Sequence, residues 1–164
     1  MNIFNKGEIL TTEQVEQIVR LSSIDIDIFI FRTKLHYLKY LIQHPNIFIF
    51  PFFTGKISAF YIGSMCPNII PCKIYFFEFA HKRDRTITST EQLKIMMIFI
   101  LLHEIKHHEQ FRRLGLWRMI ANRSRYEIEA NEYARDFIAK HLKEFSNMLG
   151  YDIEYVEFKN VKKN

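Results

Sequence analysis

Leu93-Lys94-Ile95-Met96-Met97-Ile98-Phe99-Ile100-Leu101-Leu102-His103-Glu104-Ile105-Lys106-His107 is the stretch around which the chain is organised. Residues 93–102 are apolar almost all the way round a helical wheel. A helix with that pattern is buried on most sides. Thr88 with Glu91, or Ser89 with Gln92, has the spacing of an N-terminal cap. The helix is therefore expected to start there and to run to about residue 111, before Leu114-Gly115-Leu116 breaks it. Its apolar run, 95–102, is much shorter than the ~18 residues of a membrane span.

The buried run ends in His103-Glu104-Ile105-Lys106-His107, a His-Glu-x-x-His pattern. Residues four apart on a helix lie one turn apart on nearly the same face. His103 and His107 can thus point at one metal ion, while Glu104, about 100° round, can reach a water on that ion. A divalent metal lowers the pKa of bound water towards ~7, and a carboxylate can take the proton. Glu104 and His108 are also four apart. The 103/107 pair is preferred because it alone leaves a carboxylate free as the base.

Downstream stands Tyr126-Glu127-Ile128-Glu129-Ala130-Asn131-Glu132-Tyr133-Ala134. On a helix Glu127, Ala130, Asn131 and Ala134 share one face. The two alanines permit close approach of another helix. A glutamate facing such a contact needs a partner, either a metal or a nearby arginine. Glu129 and Glu132 point away from Glu127 and read as solvated acids.

The two motifs together resemble the gluzincin pattern, and Glu-x-Glu-Ala-Asn-x-x-Ala is most similar to the ImmA/IrrE family of bacterial and phage metallopeptidases. The resemblance covers about residues 93–138. It implies that His103, His107 and Glu127 bind Zn2+, that Glu104 is the general base, and that Asn131 supports a metal-bound histidine. It also implies a protein or peptide substrate and, by family analogy, a regulatory DNA-binding protein as partner. Two departures stand out. Lys106 replaces the usual glycine before the second histidine, and Ala139-Lys140-His141-Leu142 replaces an apolar stretch ending in Met-Pro.

The rest of the chain is consistent with one domain of 164 residues, of which 1–45 is a mainly helical N-terminal part and 46–158 the zincin core. A hydrophobic fraction of 48%, with sixteen Phe, is enough for a sizeable core. Thr11 and Gln14 have capping-box spacing before a helix that places Val15, Ile18 and Val19 on one face. Residues 25–31 read either as a strand or as part of a helix continuing through 35–42. Short β-branched and aromatic runs at 47–53, 57–63 and 73–79 read as strands, with 73–79 as the candidate edge of a substrate cleft. Residues 82–89 read as a loop. A second long helix is expected over 124–148, stopped by Gly150, then a strand at 151–158 and a frayed tail at 159–164. The expected fold class is α+β and zincin-like: a small mixed or antiparallel sheet packed on a long active-site helix, with a second helix carrying a ligand.

The net charge of +5 is mildly basic, with Lys106, Arg112, Arg113, Arg118, Arg123 and Arg125 loosely clustered. No nucleic-acid motif accompanies them, and the cluster does not alternate with aromatics as a stacking platform does. Cys66 and Cys72, the two cysteines, flank a proline-containing loop and read as reduced thiols. The N-terminus lacks the apolar core of a signal peptide, so the chain reads as cytoplasmic and without membrane contact. Tyr126, Tyr133 and His141 are the nearest candidates by sequence for stabilising an oxyanion. The functional expectation is a zinc metallopeptidase, a hydrolase with metal-activated water and a glutamate base. The alternatives are an inactive zinc-binding regulatory or interaction domain, and a basic nucleic-acid-binding protein.

Overall fold

The computed structural model describes residues 1–44, 59–62, 72–78 and 89–153. Among these, the order is β1 (Ile3–Asn5), α1 (Thr12–Ser22), β2 (Asp27–Phe31), α2 (Lys34–Gln43), β3 (Ala59–Ile62), β4 (Lys73–Phe77), α3 (Thr90–Leu114), α4 (Leu116–Ala121), α5 (Arg123–Lys140) and α6 (Leu142–Leu149). The protein mixes α and β elements around one sheet of order β1-β2-β4-β3. β1 pairs parallel with β2 (Phe4 opposite Phe29), and β2 parallel with β4 (Phe29 opposite Tyr75). β3 runs antiparallel to β4, with Ala59 opposite Phe76. Of the two expected sheets the mixed one is present. A wholly antiparallel sheet is excluded, because parallel neighbours need a crossover and α1 supplies one between β1 and β2.

Alternation along the central strands assigns the two faces. Ile28, Ile30, Ile74 and Phe76 point to the main core, which also holds residues of α1, α3, α5 and α6. Phe31, Tyr75 and Phe77 point the other way, into an aromatic cluster closed by Tyr37, Tyr40 and Leu41 of α2. The sheet is thus a middle layer, and its central strands are apolar on both faces as such a position requires.

Residues 1–44, expected to be mainly helical, carry α1 and α2 and also supply two of the four strands of the described sheet. Residues 25–31 resolve into β2, followed by α2 behind an N-cap at Thr33, whose side chain accepts from His36 N. The expected strands at 57–63 and 73–79 are β3 and β4, and 47–53 lies outside the described residues. β4 cannot be the edge of a cleft, because both its sides are paired. Among the described residues the sheet ends at β1 and β3.

The helices follow their caps. The Thr11–Gln14 box is reciprocal, and α1 buries Val15, Ile18 and Val19. Ser89 caps α3 by accepting from Gln92 N at 3.1 Å, and Gly115 at φ +76° ends it. The single helix expected over 124–148 is two. α5 ends at His141, whose own conformation is non-helical, and α6 sets off from there so that Phe145 and Leu149 reach the core. The short α4, which sequence periodicity did not suggest, bridges α3 and α5. Tyr151, Asp152 and Ile153 form no strand, and the rest of the expected strand, the loop through 88, the tail and Cys66 lie outside the described residues. Cys72 is a buried free thiol. No helix among the described residues is long and apolar enough to cross a membrane.

Candidate metal centre

α3 packs most extensively against α5 and also touches β3 and β4. Its apolar circumference explains this, since Ile98, Leu101, Leu102 and Ile105 are all buried. α5 answers with Ala130 and Ala134, both fully buried. Two methyl side chains let the helix backbones come close, and Glu127 and Asn131 of the same helix meet the two motif histidines.

His103 Nε2 and His107 Nε2 lie 3.0 Å apart with their rings perpendicular. Glu127 Oε2 is 3.4 Å from His103 Nε2, and Glu127 Oε1 is 3.6 Å from His107 Nε2. One ligand atom from each of the three residues lies within 4.8 Å of the other two. This group can hold a metal ion. The expected alternative partner of Glu127 is present as well: Arg123 Nε lies 3.7 Å from Oε1. That arginine is largely exposed, so the contact is a weak surface pair beside the two imidazoles.

The far nitrogens of both rings are also engaged. Asn131 Oδ1 lies 3.0 Å from His103 Nδ1. His107 Nδ1 lies 2.9 Å from Gln110 Oε1. An amide oxygen only accepts, so each Nδ1 is placed to donate to one, while each Nε2 faces Glu127. Gln110 was not singled out from the sequence. The signal was there: residues 103, 107 and 110 form one stripe on the helix, and an amide continuing a histidine stripe into a buried position is unusual.

Electrostatics agree with the geometry. Hydrogen bonds from His103, then His107, hold the Glu127 carboxyl well below the usual carboxylate range, against burial that pushes it up. Burial pushes His107 down, but Glu127, Glu104 and Gln110 together raise it above its ordinary value. Glu104 is itself buried, and its charge is felt at His107.

His108, the member of the alternative pair, is buried elsewhere. Burial and then Arg112 lower its pKa, and Asp25 opposes them. Lys106 does not enter the cluster. Its ammonium bonds Glu109 at 2.8 Å and sits over the Tyr133 ring. Glu129, read as a solvated acid, is instead bound by Gln110 Nε2 at 3.3 Å and Arg125 Nε at 2.9 Å. Glu132 is exposed, as expected. Tyr126 is buried and its carbonyl accepts from Gln110. Tyr133 faces Lys106 and Phe137, and His141 faces Glu144 and Phe137.

No family model, curated protein or solved structure matches the chain.

Proposed function

We propose that the protein is a zinc-dependent metallopeptidase of the zincin type. One observation carries the reading: two imidazole nitrogens and a carboxylate converge on one point, with the opposite nitrogen of each imidazole tied to an amide oxygen. Such a group draws positive charge between its members, and a metal ion supplies it when the imidazoles have shed their protons. Two nitrogens and one oxygen from helices one turn and one crossing apart are a usual donor set for catalytic zinc, which keeps a fourth position for water. Held by His103, His107 and Glu127, such an ion would lower the pKa of a bound water and polarise a carbonyl. In this reading Glu104 accepts the water's proton, Asn131 orients the His103 imidazole, and Arg123 neutralises part of the Glu127 charge at the rim. β3, the antiparallel strand that ends the described sheet and packs on α3, offers its backbone to an extended peptide. The motif resemblance to ImmA/IrrE metallopeptidases supports a protein or peptide substrate and, by family analogy, a regulatory DNA-binding protein as partner.

The test is metal content by mass spectrometry after purification without a metal column. About one zinc per chain is expected, lost in His103→Ala and Glu127→Ala. Glu104→Gln should keep the zinc and lose hydrolysis of a peptide library that the wild type cleaves. A wild type that stays metal-free after incubation with zinc and dialysis overturns the reading. Zinc without cleavage above the Glu104→Gln blank leaves a zinc-binding regulatory domain.

A further inference from the structure

Gln110 is 1% exposed at the inner end of α3, one turn beyond His107. Both ends of its amide are committed. Nε2 donates to the Tyr126 carbonyl at 3.2 Å and reaches Glu129 Oε2 at 3.3 Å. A carbonyl and a carboxylate can only accept, so the nitrogen end of the amide must face α5. Glu129 is in turn held by Arg125 Nε at 2.9 Å. With the nitrogen fixed towards α5, the oxygen end faces His107 Nδ1 at 2.9 Å. The hydrogen of that ring is thereby placed on Nδ1. Tyr126 directly precedes Glu127, so one buried amide touches a ligand on α3 and the backbone next to the ligand on α5.

We propose that Gln110 is a positioning residue of the metal site: its amide locks His107 in the Nδ1–H tautomer and fixes that ring relative to Glu127. The inference rests on the metal reading above and extends it to a residue outside both motifs. Losing such a support typically weakens metal binding by about 10–100-fold. A glutamine that merely filled the contact between α3 and α5 would be replaceable by any side chain of its shape.

The experiment compares wild type, Gln110→Met and Gln110→Glu. Methionine keeps the volume and removes both hydrogen bonds. Glutamate keeps the acceptor at His107 Nδ1 and removes the donor towards Tyr126. Zinc affinity is measured by competition with a chromophoric chelator, using the metal alone. The His107 tautomer is read in the metal-free protein from 15N–1H long-range NMR, at about pH 9, where an ordinary imidazole is neutral.

The expected result is an Nδ1–H pattern in wild type and Gln110→Glu, and a mixed or Nε2–H pattern in Gln110→Met, with zinc bound about 10–100-fold more weakly by the methionine variant. Unchanged zinc affinity or an unchanged tautomer in Gln110→Met overturns the proposal. If that variant does not fold, loss of the Nδ1–H pattern in Gln110→Glu overturns it equally. The two failures separate: a wild type without zinc removes the metal reading, whereas wild-type zinc affinity in Gln110→Met removes only the role of Gln110.

Discussion

Two imidazoles and a carboxylate on one point set up a competition between a metal and protons. Without metal, protons supply the missing positive charge, and the His107 pKa lies above its ordinary value because Glu127, Glu104 and Gln110 outweigh burial. A group raised on folding stabilises the fold below its unfolded pKa of about 6.5 and loses that contribution as pH rises through the folded value. Glu127 is depressed, so its contribution is present above about pH 4.3 and is lost only as pH falls through its lowered folded value. As pH rises above about 6.5, His107 makes the metal-free protein less stable, whereas His108, lowered by burial, contributes in the opposite sense whether or not metal is bound. Zinc binding has the opposite slope, because its ligands must shed protons. The gap in melting temperature between zinc-loaded and chelator-treated protein should therefore widen over that range. Scanning calorimetry at several pH values checks this, and a gap that narrows or stays flat contradicts it. At this scale the sequence was most informative where helical spacing alone decides, in bringing His103 and His107 to one face; for Glu127 it left a metal or an arginine open, and the two imidazoles and Arg123 all lie beside it. Asn131 came with a resemblance. Gln110 continues the stripe of 103 and 107, but its bonds to Tyr126 and Glu129 depend on where a second helix crosses, and no angle on a single wheel reports that.

The contact of α3 with α5 turns spacing into a site. Ala130 and Ala134 are fully buried on the same helix as the candidate ligand Glu127 and its neighbour Asn131. Replacing Ala130 by Leu adds three carbons to a contact with no room for them. Overpacking of this kind costs about 1–3 kcal/mol. It should also push Glu127 away from the imidazoles and weaken zinc binding. Ala139→Leu, at an exposed position of the same helix, should stay within about 0.5 kcal/mol of wild type. Urea unfolding checks both, with the midpoint moving and the slope constant. A stable Ala130→Leu protein with wild-type zinc affinity would mean that the helices do not meet through their alanines. The caps at Thr11 and Ser89 and the buried faces of α1 and α5 were readable because they are local. The strand order was not. β2 and β4 are apolar on both faces, so their pattern carries no register, and their pairing is set by elements many residues away. The break at His141 has no glycine or proline to announce it.

The whole molecule is held together across its sheet, and the N-terminal segment is part of that arrangement. Glu78, at the end of β4, is fully buried. Its carboxylate accepts from Glu8 N at 2.9 and 3.0 Å and from Ile9 N at 3.1 Å, which offsets the cost of removing the charge from water. The loop can come this close because residue 7 is glycine: a Cβ there would overlap Glu78 Oε1 and lie 2.9 Å from Ile30 Cγ2. Gly7→Ala must push the carboxylate aside, costing about 1–3 kcal/mol for the overlap and more for any amide left unbonded. For a chain of this length each kcal/mol lowers the melting temperature by about 2–4 °C. β1 and β2 continue one sheet into β4, and α3 packs on that sheet, so the loss should appear as a downward shift of a single transition. Zinc at a thousandfold excess over its Kd should raise the same transition by about 4 kcal/mol. The two effects should add, because neither residue 7 nor Glu78 shares a contact with the three candidate ligands. Calorimetry of wild type and Gly7→Ala, each with zinc and with chelator, makes the comparison. One transition moved by both changes means that residues 1–44 and the metal centre fold as a unit. Two transitions, one moved by Gly7→Ala and the other by zinc, would show that the parallel strands and the two-helix site are separate cooperative units despite the sheet they share.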